Sequence, residues 1–189
     1  MNVYLDNSFW LGISLDTLGR LGLSNGQEIS EEEKVRIESE AGVERWYEKM
    51  LHYISYRPRT ESEVRRKLKE IGAPEEALEQ TVDRLRGAGL LDDRRFAALW
   101  VEDRDRLRPT GERRLEAELR MKGVESGLIE EVLSARDPEL ELAQVKSLLS
   151  GRWQKEYGLR ADQKVRRSLT GRLQRRGFNY QAIRQALEE

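Results

Sequence analysis

The sequence predicts an all-α protein: a tandem repeat of three three-helix modules in an elongated, curved array, behind a small N-terminal segment. Three observations carry this. A pair of apolar residues four apart precedes a glycine by four positions in three places: Val64–Leu68–Gly72, Leu115–Leu119–Gly123 and Leu169–Leu173–Gly177. After each glycine, apolar residues fall at plus six and plus ten: Leu78 and Val82, Ile129 and Leu133, Ile183 and Leu187. The glycines are 51 and 54 residues apart. Residues four apart share a helix face, so each copy holds one helix ending near its glycine and another opening just after it. Glycine suits the left-handed position that closes a helix. An internal repeat decides the architecture before any local motif does, because repeated units bury their apolar faces mainly against neighbours.

Taken in order, residues 1–40 form the N-terminal segment. Val3–Leu5 and Trp10–Ile13 flank the turn-forming Asp6-Asn7-Ser8, which reads as a β-hairpin. Leu15, Leu18 and Leu21 suit a short helix, Asn25-Gly26 a turn, and an acidic helix follows from Glu31 with Ser30 and Glu33 at capping-box spacing. Module 1 spans 41–90 and opens with Trp46, Tyr47, Met50, Leu51 and Ile54 on one helix. Thr60 to Glu63 is a second capping box, Pro74 sits where the next helix opens, and Gly87-Ala88-Gly89 is a tight interhelical turn. Module 2 spans 91–136; Asp92-Asp93 suit the positive end of the helix carrying Phe96, Ala97, Trp100 and Val101. Module 3 spans 137–189, with Asp137-Pro138 as an N-cap, then Val145, Leu148, Leu149, Trp153 and Tyr157 on one helical stretch, and Asn179 capping the last helix.

Composition narrows the function classes. No apolar run approaches the roughly eighteen residues of a membrane span, and no secretory signal is visible. There is no cysteine, hence neither a disulfide nor a thiolate metal site, and a cytoplasmic protein is expected. Charged residues are 37% of the chain, yet the formal net charge is −1. The average hides a gradient: Glu28–Glu48 carries eight acids against three bases, and Arg152–Arg184 ten bases against two acids. The basic end suggests a polyanionic partner; in the other segments, where signs mix, charged helices solvate themselves through i,i+4 pairs.

Nothing supports catalysis or a cofactor. His52 is the single histidine, and a lone helical histidine is more often a surface or packing residue than a base or ligand. Gly87-Ala88-Gly89 lacks the preceding strand and the Lys-Ser/Thr of a phosphate loop. Trp100 and Trp153 fall at helical spacing with other apolar groups and read as core rather than base-stacking platforms.

Arginine interleaves the apolar positions around the second helix of each module. The candidate contact residues are Arg57, Arg59, Arg65 and Arg66 in module 1; Arg104, Arg108, Arg113, Arg114 and Arg120 in module 2; and Arg166, Arg167, Arg172, Arg175 and Arg176 in module 3. Guanidinium forks pair bidentately with phosphate or carboxylate and desolvate more readily than ammonium. Along an array of helices they would form a basic stripe suited to an extended anionic object.

The run Arg57-Pro58-Arg59-Thr60-Glu61-Ser62-Glu63-Val64-Arg65-Arg66-Lys67-Leu68, then Gly89-Leu90-Leu91-Asp92-Asp93-Arg94-Arg95-Phe96-Ala97, resembles the RecX family of RecA regulators. So do Glu118 to Val124 and Arg175-Arg176-Gly177-Phe178; the resemblance runs from about Arg45 to the end. It implies a non-enzymatic, cofactor-free modulator that lies in the helical groove of the RecA–DNA filament and restrains ATPase, coprotease and strand-exchange activity. The partner it implies is the RecA filament, with single- or double-stranded DNA as a second candidate and the chain itself a monomer. A different reading is a direct nucleic-acid binder using tandem helix-turn-helix-like units.

Overall fold

The repeated spacing folds into repeated geometry. The computed structural model describes residues 1–188, apart from the side chain of Asp16. Among these it contains two strands, β1 (Asn2–Leu5) and β2 (Ser8–Gly12), and eleven helices: α1 (Leu15–Leu21), α2 (Glu31–Ser55), α3 (Glu61–Glu70), α4 (Glu75–Gly87), α5 (Asp93–Leu107), α6 (Glu112–Met121), α7 (Ser126–Ser134), α8 (Leu140–Ser150), α9 (Gln154–Tyr157), α10 (Gln163–Arg175) and α11 (Tyr180–Glu188). The chain forms two compact units, Met1–Asp92 and Asp93–Glu189.

Gly72, Gly123 and Gly177 all have φ between 80° and 88°. In each case the glycine N–H donates to the carbonyl three residues back, and the next residue's N–H donates to the carbonyl of the repeated leucine: Ala73 to Leu68, Val124 to Leu119, Phe178 to Leu173. This closes α3, α6 and α10 by one mechanism and turns the chain into α4, α7 and α11. All twelve repeated apolar residues are buried. They centre three clusters: one around Trp46, Met50, Leu68 and Leu78; one around Phe96, Val101, Leu119 and Ile129; one around Val145, Leu149, Leu173 and Ile183. Leu119 has no exposed surface. Leu119→Ala is therefore expected to cost about 2–5 kcal/mol, read by urea denaturation, through lost transfer energy and an unfilled cavity. A loss within the ±0.5 kcal/mol typical of surface changes would remove Leu119 from the core.

Local signals account for most boundaries. Ser30 and Glu33 form the reciprocal capping box that starts α2, and Thr60 Oγ1 accepts from the Glu63 amide at the start of α3. Asn179 Oδ1 accepts from the Ala182 amide at 2.8 Å. The strands pair antiparallel around Asp6 and Asn7, both at positive φ. The turn is thus two residues long, with Ser8 already in β2, because two left-handed residues match the twist of a tight hairpin. Trp10 Nε1 donates to Glu38 at 2.7 Å and ties the hairpin to α2.

Three features depart from expectation. The acidic stretch and the Trp46 stretch are one 25-residue helix, so a boundary at residue 40 runs through α2. Gly42 weakens it by roughly 1 kcal/mol relative to alanine, but Ile37, Val43, Trp46 and Met50 are buried and hold its inner face. The Asp137 side chain accepts from the Glu139 amide, and α8 starts only at Leu140. The opening stretch of module 3 is not one helix: α8 stops at Gly151, and α9 resumes at Gln154. Arg152 and Trp153 stand in that break.

Within the second unit the two helical triplets are locked backbone to backbone. The Gly111 N–H donates to the Arg176 carbonyl at 3.0 Å. A Cβ on Gly111 would stand 2.1 Å from Phe178 N, and one on Gly177 would stand 2.5 Å from Arg114 Cβ. The Glu141 carboxylate is buried; it accepts from the Glu112 amide at 2.6 Å and from the Asn179 amide at 3.1 Å. One acid thus serves the N-terminal ends of α6 and α11 together. Arg136, 7% exposed at its side chain, pairs with Asp105 through two hydrogen bonds, and Gln144 donates to the same Asp105.

Candidate anion-binding seam between α6 and α10

The structure divides the predicted arginines by their partners. In the first unit most are neutralised at home. Arg57 donates twice to the buried Glu63 carboxylate, at 3.0 and 2.9 Å. Arg65 pairs with Glu61 and Glu79, and Arg59 lies 4.0 Å from the centre of the Tyr53 ring. The Glu79 bond raises the Arg65 pKa against the opposing effect of burial. Arg66 is exposed on the outer side of α3. The stripe of this unit is therefore mainly an ion-pair network.

In α5 and α6, Arg104 lies 4.2 Å from the Trp100 ring centre and donates to Glu118 at 2.9 Å; Arg114 donates to the other oxygen of Glu118 at 3.1 Å. Burial acts to raise the Glu118 carboxyl, but the bonds from Arg104, Arg114 and Trp100 outweigh it and hold the pKa below the ordinary glutamate value. Arg120 pairs with Glu116 one turn away. Arg108 and Arg113 are exposed. In α10, Arg166 pairs with Glu188 and Arg172 with Glu156, while Arg167 and Arg175 are exposed.

Four of the predicted residues converge. Arg114 of α6 and Arg172, Arg175 and Arg176 at the end of α10 line one depression of about 300 Å³, together with Arg152 and Trp153. An adjoining depression of about 220 Å³ is lined by Arg104, Arg108, Thr110, Arg114, Glu118 and Arg176. Arg114 and Arg176 belong to both, so the two form a continuous basic seam. The remaining predicted residues, Arg57, Arg59, Arg65, Arg66, Arg113, Arg120, Arg166 and Arg167, line neither.

Arg176 is the unusual member. It is the C-cap of α10, with its backbone carbonyl engaged by Gly111. Its guanidinium carbon lies 5.7 Å from the Trp153 ring centre, and its Nη1 is buried without a hydrogen-bond partner. Burial first, then repulsion from Arg152 and Arg114, lowers its pKa. Arginine nevertheless stays charged in proteins, so the seam carries an uncompensated cation in a confined place. Guanidinium groups in such an arrangement suit an oxyanion, and the seam holds no nucleophile–base pair. Among the described residues no group of three His, Cys, Asp or Glu side chains is placed to hold a metal, and no helix is long and apolar enough to cross a membrane.

Two lining residues of the first depression escaped sequence reasoning, as did Thr110 and Glu118 in the adjoining one. Trp153 reads as core by spacing, and it does pack against the third cluster, yet it also floors the depression. Arg152 follows a glycine at what looks like mid-helix; only the break at Gly151 turns it toward Arg176. The signal that was available is Gly151-Arg152 itself, a glycine within an otherwise periodic stretch.

Comparison with known proteins agrees with this architecture. Residues 47–85 match the first three-helix domain of RecX and residues 92–133 match the second. A protein named regulatory protein RecX from Bacillus licheniformis is 30% identical over 189 residues, covering all of this chain and 72% of its own length. Its namesake from Streptomyces coelicolor is 37% identical over 143 residues, covering 74% of this chain and 76% of its own. A third, from Limosilactobacillus reuteri, is 33% identical; this chain spans 65% of its length. A crystal structure of regulatory protein RecX superposes with a TM-score of 0.82 at 28% identity, covering 100% of this chain and 92% of the other. The RecX structure from Lactobacillus salivarius, at 22% identity and a TM-score of 0.69, shares the fold. These relatives bear regulatory rather than enzymatic names, and with helical triplets matched to both RecX domains, the chain belongs to the RecX family of regulatory proteins.

Proposed function

We propose that this chain regulates RecA by binding RecA–DNA filaments in their helical groove, where it restrains ATP hydrolysis, coprotease activity and strand exchange. The observation that carries the reading is the concentration of arginine at one seam of a RecX-family fold whose overall charge is close to zero. A groove walled by protein and carrying DNA rewards a local cluster of cations rather than a chain that is basic throughout. Several modest contacts to successive subunits then combine through effective concentration. On this reading the chain acts in the cytoplasm as a monomer and without a cofactor.

Co-sedimentation tests it. The protein is expected to pellet with RecA filaments assembled on DNA and to slow their ATP hydrolysis in proportion to the amount bound. Equal retention by bare DNA at moderate salt, with no added retention by the filament, would instead favour the direct nucleic-acid binder.

A further inference from the structure

We propose that the seam between α6 and α10 binds the backbone phosphates of a nucleic-acid strand directly, with Arg176 Nη1 as the inner donor and Arg152 and Arg175 as outer contacts. This deepens the proposed function by naming the ligand of the seam, and its test omits RecA so that it fails separately.

Three observations meet here. The Arg176 guanidinium has a buried donor with no acceptor in the protein, although most buried polar groups are satisfied. The depression in front of it is lined by five arginines and a tryptophan, with no carboxylate among the lining residues. Elsewhere many of the arginines are paired: Glu63, Glu61 and Glu118 each take one or two. Arg114 and Arg172 hold Glu118 and Glu156, but the inner donor of Arg176 has no acceptor beside the exposed Arg152 and Arg175, which costs electrostatic energy that an incoming anion recovers.

The shape of the seam selects the kind of anion. The two depressions share Arg114 and Arg176, so neighbouring anion sites run side by side. A chain with one negative charge per unit and two free oxygens on each fits adjacent guanidinium forks, and a phosphodiester backbone is such a chain. Arg176 is held at its carbonyl by Gly111, and Arg114 is oriented by Glu118. Contacts limited to phosphates carry no base information, so binding at the seam is expected to be indifferent to sequence.

The test uses the full chain and a dye-labelled oligo-dT, with fluorescence anisotropy followed as salt is varied. Arg176→Gln is expected to weaken binding about tenfold or more, in line with loss of charged hydrogen bonds. Arg152 and Arg175 are exposed, so the double variant Arg152→Gln/Arg175→Gln keeps the fold, as circular dichroism checks. It is expected to lower the slope of log affinity against log salt by about 1.4, at roughly 0.7 per phosphate contact on a single strand. Arg36→Gln, an exposed change in α2, is the comparison and is expected to leave both quantities unchanged. A slope equal to the parent's in the double variant, or the same loss in Arg36→Gln, overturns the proposal. So does saturable displacement of the oligonucleotide by low concentrations of inorganic phosphate, which assigns the seam to a free ion. Polyglutamate binding that depends on Arg176 while the oligonucleotide does not bind overturns it in favour of an acidic protein segment. Filament co-sedimentation that survives any of these results leaves the proposed function standing.

Discussion

Gly111→Ala is expected to destabilise the second unit by about 3 kcal/mol or more, at or beyond the top of the usual range for volume forced into a packed site. The added Cβ would lie 2.1 Å from Phe178 N and 2.2 Å from the Gly177 carbonyl carbon, and both are backbone atoms that no rotamer change can move. Relieving the overlap pulls α6 away from α11. That movement lengthens the Gly111–Arg176 hydrogen bond and disturbs the Glu141 carboxylate, which accepts amides from the start of α6 and from Asn179. Hydrogen exchange would report the loss within residues 93–189. Two other glycines calibrate it. Gly72 has φ 81° but nothing within 4 Å of a Cβ, so Gly72→Ala carries only the left-handed penalty of about 1–2 kcal/mol. Gly87 ends a helix with nothing within 4 Å, and Gly87→Ala is expected to stabilise by about 0.5–1 kcal/mol. Gly111→Ala melting with the parent would show that the two triplets are not locked at this point.

The second large effect is on the filament. Replacing Arg152, Arg167 and Arg175 with Glu changes the charge of the last triplet by six units without touching a buried side chain or a mapped ion pair. Filament affinity is expected to fall by a factor of a hundred or more, on the order of 3 kcal/mol, because each cation is replaced by a repulsive charge. Affinity of the parent should also fall as salt rises, since screening is about 8 Å at physiological ionic strength and shortens beyond it. Helicity should stay unchanged. Sedimentation of the reversed protein at parental levels, with its helical signal intact, would reduce the basic end to a solvated face. The choice of residues comes from the structure: Arg166 and Arg172, equally prominent in the sequence, already hold Glu188 and Glu156, so their reversal would confound binding with lost internal pairs.

How much of this was legible beforehand depends on the range of the interaction concerned. Helix ends rest on groups a few residues apart, so Ser30, Thr60, Asn179 and the three positive-φ glycines disclosed them. The core was legible for the same reason: residues four apart share a face, and all twelve repeated apolar positions are buried. The resemblance to RecX, carried by short runs around Arg57 and Leu90, extended that reading to the family. Ion pairing was not legible. Arg104 and Arg114 meet at Glu118, and Arg57 meets Glu63, because packing sets which side chains face one another; composition shows only that opposite charges are available.

By itself, then, the sequence determined the all-helical repeat, the leucines that fill each triplet and the excess of arginine near the C-terminal end, since periodicity and composition are properties of the chain. The tertiary structure alone decided which arginines remain free. It broke α8 at Gly151 and so brought Arg152 and Trp153 to the seam. It also gave one glycine two duties. Gly177 closes a helix as Gly72 and Gly123 do, but a Cβ at Gly177 would strike a neighbouring helix, 2.5 Å from Arg114, where one at Gly72 meets nothing within 4 Å. The three copies are equivalent in spacing and differ in surroundings, because a helix cap is made within a few residues and a close approach is made by segments more than sixty residues apart.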